Sequence, residues 1–538
     1  MFNVFASRMR AASTTVFKAR AAILALSLTT VILPAHAATV NIANGDEPGT
    51  LDPQKTSGNW ETRITRELFA TLVATDSKAE LVPGLASSWE ISDDGLTYTF
   101  HLRDAKWSDG QPITADDAVF AFRRELAPST AAYNANLYYT IKNATAINAG
   151  KASPDTLGVE AVDQHTLKIY LTQPTPFFLQ ALAMAESAPL PRQYIESHQS
   201  NWIKAGKLVV SGPFQLTRWI PQSDIQLSKN PQFYAADSVK LDTANFYPIN
   251  DAQAALNRFR TGELTLSYTG VPATQYSTVK KNFPSELKVA PLLGEYYYVF
   301  NMREGSLLAD KRIREALNLA VRRDIITNRI LGQGQSPSYW YLPKAMEGGA
   351  EGEMSFAHQP MEERLKRARQ LLAEAGYGPE HPLHLEIAYN TMEDHRRIAV
   401  AISAMWKQIG VTTTLTNSEA AVHFNTLKQG NFEVGRYGSV ATVNDPQDFL
   451  KSFVTGGEGN YGHYHNARYD QLVDTISREL DPQKRAPLLT EAQQILLNDY
   501  ALLPLYDYVS INLVSDKVKG WHTNPLDVHP LRYISLTQ

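Results

Sequence analysis

Hydrophobic and polar positions alternate with a period of two at several places in the first half of the chain. Residues 39–43 have the pattern of a short buried strand, and residues 89–102 alternate on both sides of Asp93-Asp94-Gly95. The second pattern predicts a β-hairpin in which Gly95 supplies the positive φ of the turn. Turn chemistry accounts for the two aspartates better than a catalytic pair does. Further strands are predicted over 166–171 and 209–220, the second of them interrupted by Gly212-Pro213.

Apolar residues spaced three or four positions apart predict helices, most of them in the second half of the chain. Thr114 is the predicted N-cap of a helix that runs to Arg124, with acidic residues in its first turn. Helices are also predicted over 313–321, 365–375 and 393–410, and strands over 295–301, 383–388 and 411–415. This β-α-β alternation predicts a mostly parallel α/β sheet in the second half.

The first 37 residues have the pattern of a secretory signal peptide. Cationic residues precede an apolar run over 21–33, and Pro34-Ala35-His36-Ala37 offers an A-x-A cleavage site. The apolar run is shorter than the ~20 residues that a membrane-spanning helix needs, so a membrane anchor is the weaker interpretation. We therefore expect a mature protein that is exported, soluble and not inserted in a membrane.

Composition narrows the class of protein further. With 538 residues, 43% of them hydrophobic and 20% charged, the chain is typical of globular proteins and long enough for at least two lobes. The formal net charge of −4 gives no electrostatic basis for binding nucleic acid. Because the chain contains no cysteine, disulfides, thiolate metal sites, cysteine nucleophiles and a lipid-anchored N-terminal cysteine are all excluded.

Catalytic and cofactor motifs are absent from the sequence. It has no glycine-rich phosphate loop with its lysine, no G-x-S-x-G motif and no H-E-x-x-H motif. His463 and His465 could face one metal ion, but a polar loop is the simpler interpretation because no further ligand stands at metal-binding spacing. Glu347, Glu351 and Glu353 are expected to form a solvated face. We therefore expect no metal and no cofactor, and a protein that binds a solute rather than an enzyme.

Three runs of residues carry a resemblance to a known family. They are Leu-Val-Pro-Gly-Leu-Ala-Ser-Ser-Trp-Glu at 81–90, Tyr-Thr-Phe-His-Leu-Arg at 98–103 and Ala-Lys-Trp-Ser-Asp-Gly-Gln-Pro-Ile-Thr-Ala-Asp-Asp at 105–117. In these runs the sequence resembles the peptide/nickel-type (family 5) periplasmic solute-binding proteins of ABC importers. Shorter matches at 211–214, 229–231, 310–324, 371–377 and 464–472 extend the similarity over nearly the whole chain after residue 37. Within the family, the sequence is most similar to the oligopeptide-binding and murein-peptide-binding proteins.

The resemblance implies an α/β fold of two lobes, the type II (cluster C) periplasmic-binding-protein fold with an extra inserted domain. The implied divisions are a signal peptide at 1–37, a discontinuous lobe I at 38–69, 196–294 and 510–538, an inserted domain at 70–195, and lobe II at 295–509. The resemblance further implies a monomer, free in the periplasm of a Gram-negative cell, whose lobes close over a peptide. Its implied partners are the inner-membrane permease and ATPase subunits of an ABC transporter.

The resemblance also implies ligand-binding residues. Arg436 would receive a peptide carboxylate through paired hydrogen bonds, and His395 would approach the same end of the peptide. An ordinary surface position is the alternative for both. Tyr133 and Tyr508 would pack against the ligand and bond to it, and the backbone of Gly438-Ser439-Val440 would pair with it.

Several positions depart from the family pattern at the other end of the ligand. Where the family has an aspartate that pairs with the peptide amine, this chain has Thr442, and an acidic family residue is replaced by Ser57, close to a further candidate, Asn59. Two pocket tryptophans of the family align with Ala420 and Ser439, and an arginine with Leu427. The flanking residues are in register, so these differences belong to the sequence and not to the alignment.

A buried amine without its partner costs about 3–5 kcal/mol, so the departures carry a hypothesis about the ligand. Either Glu419 or Asp445 takes over the amine, or the ligand is a modified or atypical peptide, such as a murein-derived one, or another solute bearing an amine or a carboxylate. Three alternatives stay open. They are a binding protein of the same fold for an opine-like compound, a sugar or a nickel chelate, a chemosensory receptor, and a less favoured secreted hydrolase.

Overall fold

One mixed sheet of eleven strands organises the part of the chain that the computed structural model describes, residues 37–346 and 348–537. The strands are β1 (Thr39–Ala43), β2 (Val73–Thr75), β3 (Leu81–Pro83), β4 (Ala86–Ile91), β5 (Thr97–Leu102), β6 (Val159–Asp163), β7 (Thr166–Tyr170), β8 (Phe214–Ile220), β9 (Asp224–Lys229), β10 (Thr243–Tyr247), β11 (Leu266–Ser267), β12 (Leu287–Phe300), β13 (Ser336–Pro337), β14 (His384–Asn390), β15 (Thr412–Ser418), β16 (Val434–Val440), β17 (Leu502–Val514), β18 (Val518–Lys519) and β19 (Ser535–Leu536). The large sheet has the strand order β15-β14-β16-β12-β17-β11-β1-β10-β9-β8, with β13 paired to β17.

Helices cover the sheet and fill the connections between strands. They are α1 (Asn59–Leu68), α2 (Ala115–Leu126), α3 (Ala144–Asn148), α4 (Phe178–Ala181), α5 (Arg192–His198), α6 (Ala252–Arg260), α7 (Tyr276–Asn282), α8 (Lys311–Leu319), α9 (Arg323–Ile325), α10 (Met361–Glu374), α11 (Glu393–Lys407), α12 (Ala420–Gln429), α13 (Gln447–Leu450), α14 (Ala467–Ile476) and α15 (Pro482–Asn498). Residues 38–538 form one compact unit. Among the described residues, no helix has the length and apolar character needed to cross a membrane. The signal peptide predicted for residues 1–37 lies outside the described residues, except for Ala37.

Two long strands, β12 and β17, connect the two ends of the large sheet. They run antiparallel to each other, and their pairing shifts register between Pro291 and Glu295 and again between Tyr296 and Tyr297. On one side of the first shift β17 pairs with β11, and on the other side β12 pairs with β16. Both ends of the sheet therefore depend on the same pair of strands.

Local patterns in the sequence located most elements correctly. The strand β1, the hairpin of β4 and β5 and the helix α2 are confirmed, and Gly95 has a φ of +68° in the hairpin turn. The helices α8, α10 and α11 and the strands β14 and β15 are also confirmed within a few residues. Short-range periodicity is sufficient for these elements because it depends only on residues that are close together along the chain.

Two predictions about strands were wrong in part. The second half of the sheet is mixed, because β14 pairs in parallel with β15 and β16 whereas β16 pairs antiparallel with β12. The direction of β12 is set by its pairing with β17, and the helical crossovers that predicted parallel strands carry no information about it. The predicted strand over 209–220 begins only at Phe214, since the amides of Ser211 and Gly212 instead donate to the carbonyl of Leu68.

Five groups of buried apolar side chains lie among the described residues, and three of them show how the strands and helices pack. One group, which includes Val40 and Phe214, packs around β1 and β8–β10, and another, which includes Tyr296 and Trp406, packs between β12 and the helices that follow it. The third surrounds the separate four-stranded sheet β4-β5-β7-β6, and it also contains Val443 from the segment after β16. The division of the chain into lobes at the predicted boundaries stays a prediction.

Candidate functional site

Arg436 lies near the middle of β16 with its guanidinium buried against neutral groups. Its Nη2 donates to the hydroxyl of Tyr508 at 2.7 Å, and its Nη1 donates to Oδ1 of Asn390 at 3.3 Å. The guanidinium carbon stands 4.6 Å from the centre of the Tyr296 ring. Only 8% of Arg436 is exposed, its Nε has no hydrogen-bond partner, and no carboxylate of the described residues forms an ion pair with it. A buried cation without a counterion is a favourable place for an anion.

Two buried histidines flank Arg436. Nδ1 of His395 is 3.2 Å from the hydroxyl of Tyr296, and Nε2 of His423 is 2.8 Å from the main-chain oxygen of Arg436. Burial lowers the pKa of His395 to about 3, and the charge of Arg436 adds to the shift. Burial also lowers the pKa of His423. His395 is therefore uncharged at neutral pH, where it can serve as a hydrogen-bonding group beside Arg436.

The outer edge of β16 offers backbone groups to an extended partner. The amide of Ala441 donates to the carbonyl of Leu293 at 2.7 Å, so alternate residues of β16 point their amides and carbonyls toward β12. Gly438 and Val440 are the residues in between, and their backbone groups face away from β12. Within the described chain β14 pairs with β16 only at Val434 and Gly435, so no strand covers this edge further along. An extended ligand can add there as a further strand.

A glycine at position 438 allows Tyr508 to reach Arg436. A Cβ at Gly438 would collide with the Tyr508 hydroxyl. We expect Gly438→Ala to displace the tyrosine and weaken binding of a carboxylate ligand by about tenfold to a hundredfold, the loss of one hydrogen bond to a charged group. Isothermal titration calorimetry measures this effect. In Gly438→Ala/Tyr508→Phe the collision disappears, so the two changes should be non-additive, and an unaltered affinity in Gly438→Ala would contradict the assignment.

The face of β16 opposite to Arg436 carries the positions where the family has bulky residues. The hydroxyl of Ser439 is 3.3 Å from that of Tyr297, and Leu427 of α12 is fully buried behind the strand. Ala420 is the first residue of α12 and is partly exposed. The small side chain of Ser439 therefore takes up less space on this face of β16 than a tryptophan would.

The acidic candidates for receiving an amine already have other contacts. Both oxygens of Asp445 bind the guanidinium of Arg485, at 2.6 Å and 2.7 Å, and the pair is buried. Glu419 is exposed and caps α12 by accepting from the amide of Ala421 at 2.9 Å. The amide of Thr442 donates to Oδ2 of Asp448 at 2.7 Å. Asp445 is thus neutralised inside the protein, and Glu419 keeps one oxygen available at the surface.

Three predicted site residues are apart from the Arg436 group. Tyr133 is 68% exposed, and Ser57 and Asn59 are also exposed at the start of α1. The amide of Ser57 donates to Oε2 of Glu61 at 2.7 Å. In the part of the chain that the structure describes, no hydrogen bond, ion pair or ring contact joins these three residues to Arg436. The structure thus brings together Arg436, His395, Tyr508 and the β16 edge.

Several residues that surround Arg436 were not predicted as site residues. Asn390, His423 and Tyr296 contact it directly, and Tyr506 stacks on Tyr296 with ring centres 4.7 Å apart. The tyrosines at 296–298 were predicted only to be part of a strand. A strand places the side chains of Tyr296 and Tyr298 on the same face, which is a signal that these two residues could share one site. His423 and Asn390 carried no comparable signal.

The two histidines at 463 and 465 form no metal centre in the described structure. Nδ1 of His465 is 2.9 Å from the hydroxyl of Thr455. Among the described residues, no group of three or more His, Asp or Glu side chains could hold a metal ion. Glu351 is exposed, Glu353 contacts His358, and Glu347 lies outside the described residues.

Known proteins resemble this chain over most of its length. Residues 80–461 match the family described as bacterial extracellular solute-binding proteins, family 5 Middle. The chain is 35% identical to the periplasmic oligopeptide-binding protein OppA of Salmonella typhimurium, over 90% of each chain. It is 36% identical to the probable deoxycholate-binding periplasmic protein YgiS of Escherichia coli, over 90% of this chain and 91% of that protein.

A solved structure extends the likeness to the fold. The unliganded open form of the periplasmic murein tripeptide-binding protein MppA superposes with a TM-score of 0.83 at 34% identity, over 93% of this chain and 98% of that one. The chain belongs to the family 5 extracellular solute-binding proteins. The predicted resemblance and the α/β periplasmic-binding-protein fold class are both confirmed.

Proposed function

We propose that this protein is the substrate-binding component of an ABC importer and captures a peptide or peptide-like solute by its carboxylate. The observation that carries the proposal is Arg436, a buried cation without a counterion in the described structure, next to a strand edge with no partner strand. A carboxylate can accept two parallel hydrogen bonds from a guanidinium. The same carboxylate would supply the negative charge that burial of Arg436 requires.

The neighbouring groups suit the rest of such a ligand. The hydroxyl of Tyr508 and the uncharged ring of His395 can bond to the carboxylate or to water beside it. The backbone groups of Gly438 and Val440 can pair with an extended main chain, which gives affinity without selecting side chains. Peptides of differing sequence share these two features, a terminal carboxylate and an extended backbone.

Closure of two lobes would complete the site. The proposed boundaries of lobe II, at 295 and 509, fall at the register shift between β12 and β17. A pair of strands with an irregular register there can serve as a hinge. Two observations support the proposed closure. The chain is similar to an unliganded open form, and its Tyr133, Ser57 and Asn59 are exposed and separate from Arg436. In the closed state these residues would reach the ligand from lobe I (38–69, 196–294 and 510–538) and the inserted domain (70–195).

A second candidate is a carboxylate-bearing solute that has no amine. Thr442 offers no negative charge, and Asp445 is engaged by Arg485. The family relative YgiS is named as a probable binder of deoxycholate, so its printed name points to a solute other than a peptide. The Arg436 group would receive either class of ligand by the same carboxylate.

The same proposal includes the location and the partners. After removal of residues 1–37 the protein would be free in the periplasm, with no cysteine for a lipid anchor. The closed, loaded monomer would be recognised by the inner-membrane permease, which the ATPase subunits drive. A chemosensory receptor would use the same closure with a different membrane partner.

Two measurements test the proposed function. Native mass spectrometry of the protein purified from its own periplasm should detect a retained compound that carries a carboxylate. Calorimetry with matched tripeptides should show that the C-terminal amide binds about a hundredfold or more weaker than the free acid. Equal binding of amide and acid would contradict the role of Arg436. Recovery of cleaved rather than intact peptide would favour a hydrolase over a binding protein.

A further inference from the structure

Two acidic side chains face each other across the two long strands, on the side of the sheet opposite to Arg436. Glu295 of β12 is paired in register with Asp507 of β17. Glu295 is 0% exposed, and neither of its carboxylate oxygens has a hydrogen-bond partner in the described structure. Asp507 is also buried and accepts a hydrogen bond from Nε1 of Trp340 at 3.0 Å.

No cation of the described residues forms an ion pair with either acid. The nearest positive groups are engaged elsewhere, since Arg323 donates to the carbonyls of Pro504 and Asn318, and Nζ of Lys344 lies 3.7 Å from the centre of the Trp340 ring. Burial and the charge of Asp507 raise the pKa of Glu295 well above its usual range. Burial also raises the pKa of Asp507, so the place disfavours negative charge on both acids and would be stabilised by a cation between them.

The acidic pair is one strand away from the edge where the ligand would add. On its other side Glu295 is in register with Ser439 of β16, so all three residues stand in a row on one face of the sheet. A ligand strand on the outer edge of β16 would lie about 10 Å from β12, two strand spacings away. The small side chain of Ser439 stands in this row between them, with its hydroxyl 3.3 Å from that of Tyr297. A long basic side chain that passes over Ser439 would reach Glu295 along the row.

We propose that Glu295 and Asp507 form a subsite for a cationic group of the ligand, a primary amine or a guanidinium on a side chain next to the residue that binds Arg436. The inference rests on the proposed function. Successive side chains of an extended ligand point to opposite faces of the sheet. One face carries an unpaired buried cation and the other carries an unpaired buried acid pair, so the preferred ligand has a terminal carboxylate and a basic residue before it. This subsite would also supply the negative charge that Thr442 does not.

The test compares two tripeptides that differ only in the residue before the C-terminus, lysine in one and norleucine in the other. Calorimetry on the mature wild-type protein should give at least a tenfold preference for the lysine peptide. The variant Glu295→Gln/Asp507→Asn should bind both peptides equally, with the affinity for the norleucine peptide unchanged. The control Asp104→Asn, which removes an exposed carboxylate elsewhere on the protein, should keep the preference.

A second variant tests whether a basic side chain of the ligand reaches Glu295 by passing over Ser439. Ser439→Phe should remove the preference for lysine by filling the space between the ligand edge and Glu295, while thermal unfolding confirms that each variant is folded. Equal binding of the two peptides to the wild type, or a preference that survives in Glu295→Gln/Asp507→Asn, would overturn the subsite and leave the carboxylate site intact. Binding of neither peptide would overturn the proposed function and this inference with it.

Discussion

Replacing Arg436 by alanine should weaken the binding of carboxylate ligands by about a hundredfold or more and leave the fold nearly as stable as before. The ligand carboxylate would lose a charged pair in a buried place, a loss of about 3 kcal/mol or more. In the absence of ligand, the variant loses hydrogen bonds to Tyr508 and Asn390 but no longer buries an uncompensated cation. We therefore expect a free energy of unfolding within about 1 kcal/mol of the wild type.

Calorimetry and urea denaturation measure the two parts of this prediction. Arg436→Lys is the matched control, because it keeps the charge and loses the planar fork that binds a carboxylate at two points. Its affinity should fall between those of the wild type and Arg436→Ala. A peptide amide should lose little affinity in either variant. A large loss of stability in Arg436→Ala with little loss of affinity would assign Arg436 a structural role.

At the buried ion pair of Asp445 and Arg485, in contrast to Arg436, we expect the loss of the arginine to cause a large loss of stability. Arg485→Ala should lower the free energy of unfolding by about 3–5 kcal/mol, because Asp445 would stay buried with no counterion. Urea denaturation measures the change. The pair Arg478 and Asp474 is exposed, so Arg478→Ala should cost no more than about 1 kcal/mol.

A double variant separates the ion pair from simple packing. Asp445→Asn/Arg485→Gln removes both charges together and should recover a large part of the stability lost in Arg485→Ala. If Arg485→Ala unfolds at the wild-type urea concentration, the pair does not hold the segment between Thr442 and Pro446. Such a result would also reopen Asp445 as a group that could receive a ligand amine.

Patterns in the sequence predicted the positions of strands and helices better than they predicted which strands pair with each other. The hairpin around Gly95 and the helix capped by Thr114 follow from contacts within about a dozen residues, so local pattern located both. The pairing of β16 with β12 depends on residues far apart along the chain, and no periodicity encodes it. The same limit explains why a mostly parallel sheet was expected.

The candidate site shows this limit more clearly. Arg436 and His395 came from a family resemblance, and the physical setting that makes Arg436 interesting, burial without a counterion, exists only in the folded molecule. Glu295 and Asp507 are separated by most of the second half of the chain, and no pattern in the sequence singled out either of them. Their opposition follows from the register of β12 and β17, which side-chain chemistry alone does not fix.

The pairing of β12 with β17 has a consequence for how the chain folds during synthesis. Every residue between Phe300 and Leu502 is made before β17 appears, and β11, which pairs with β1, has β17 as its other neighbour. The two ends of the large sheet can therefore not be joined until that late strand is made. Contacts between such distant segments are slow to form, so the large sheet should stay incomplete through most of translation. A nascent chain whose large sheet is still incomplete is easier to thread through a narrow export channel than one whose sheet has already formed.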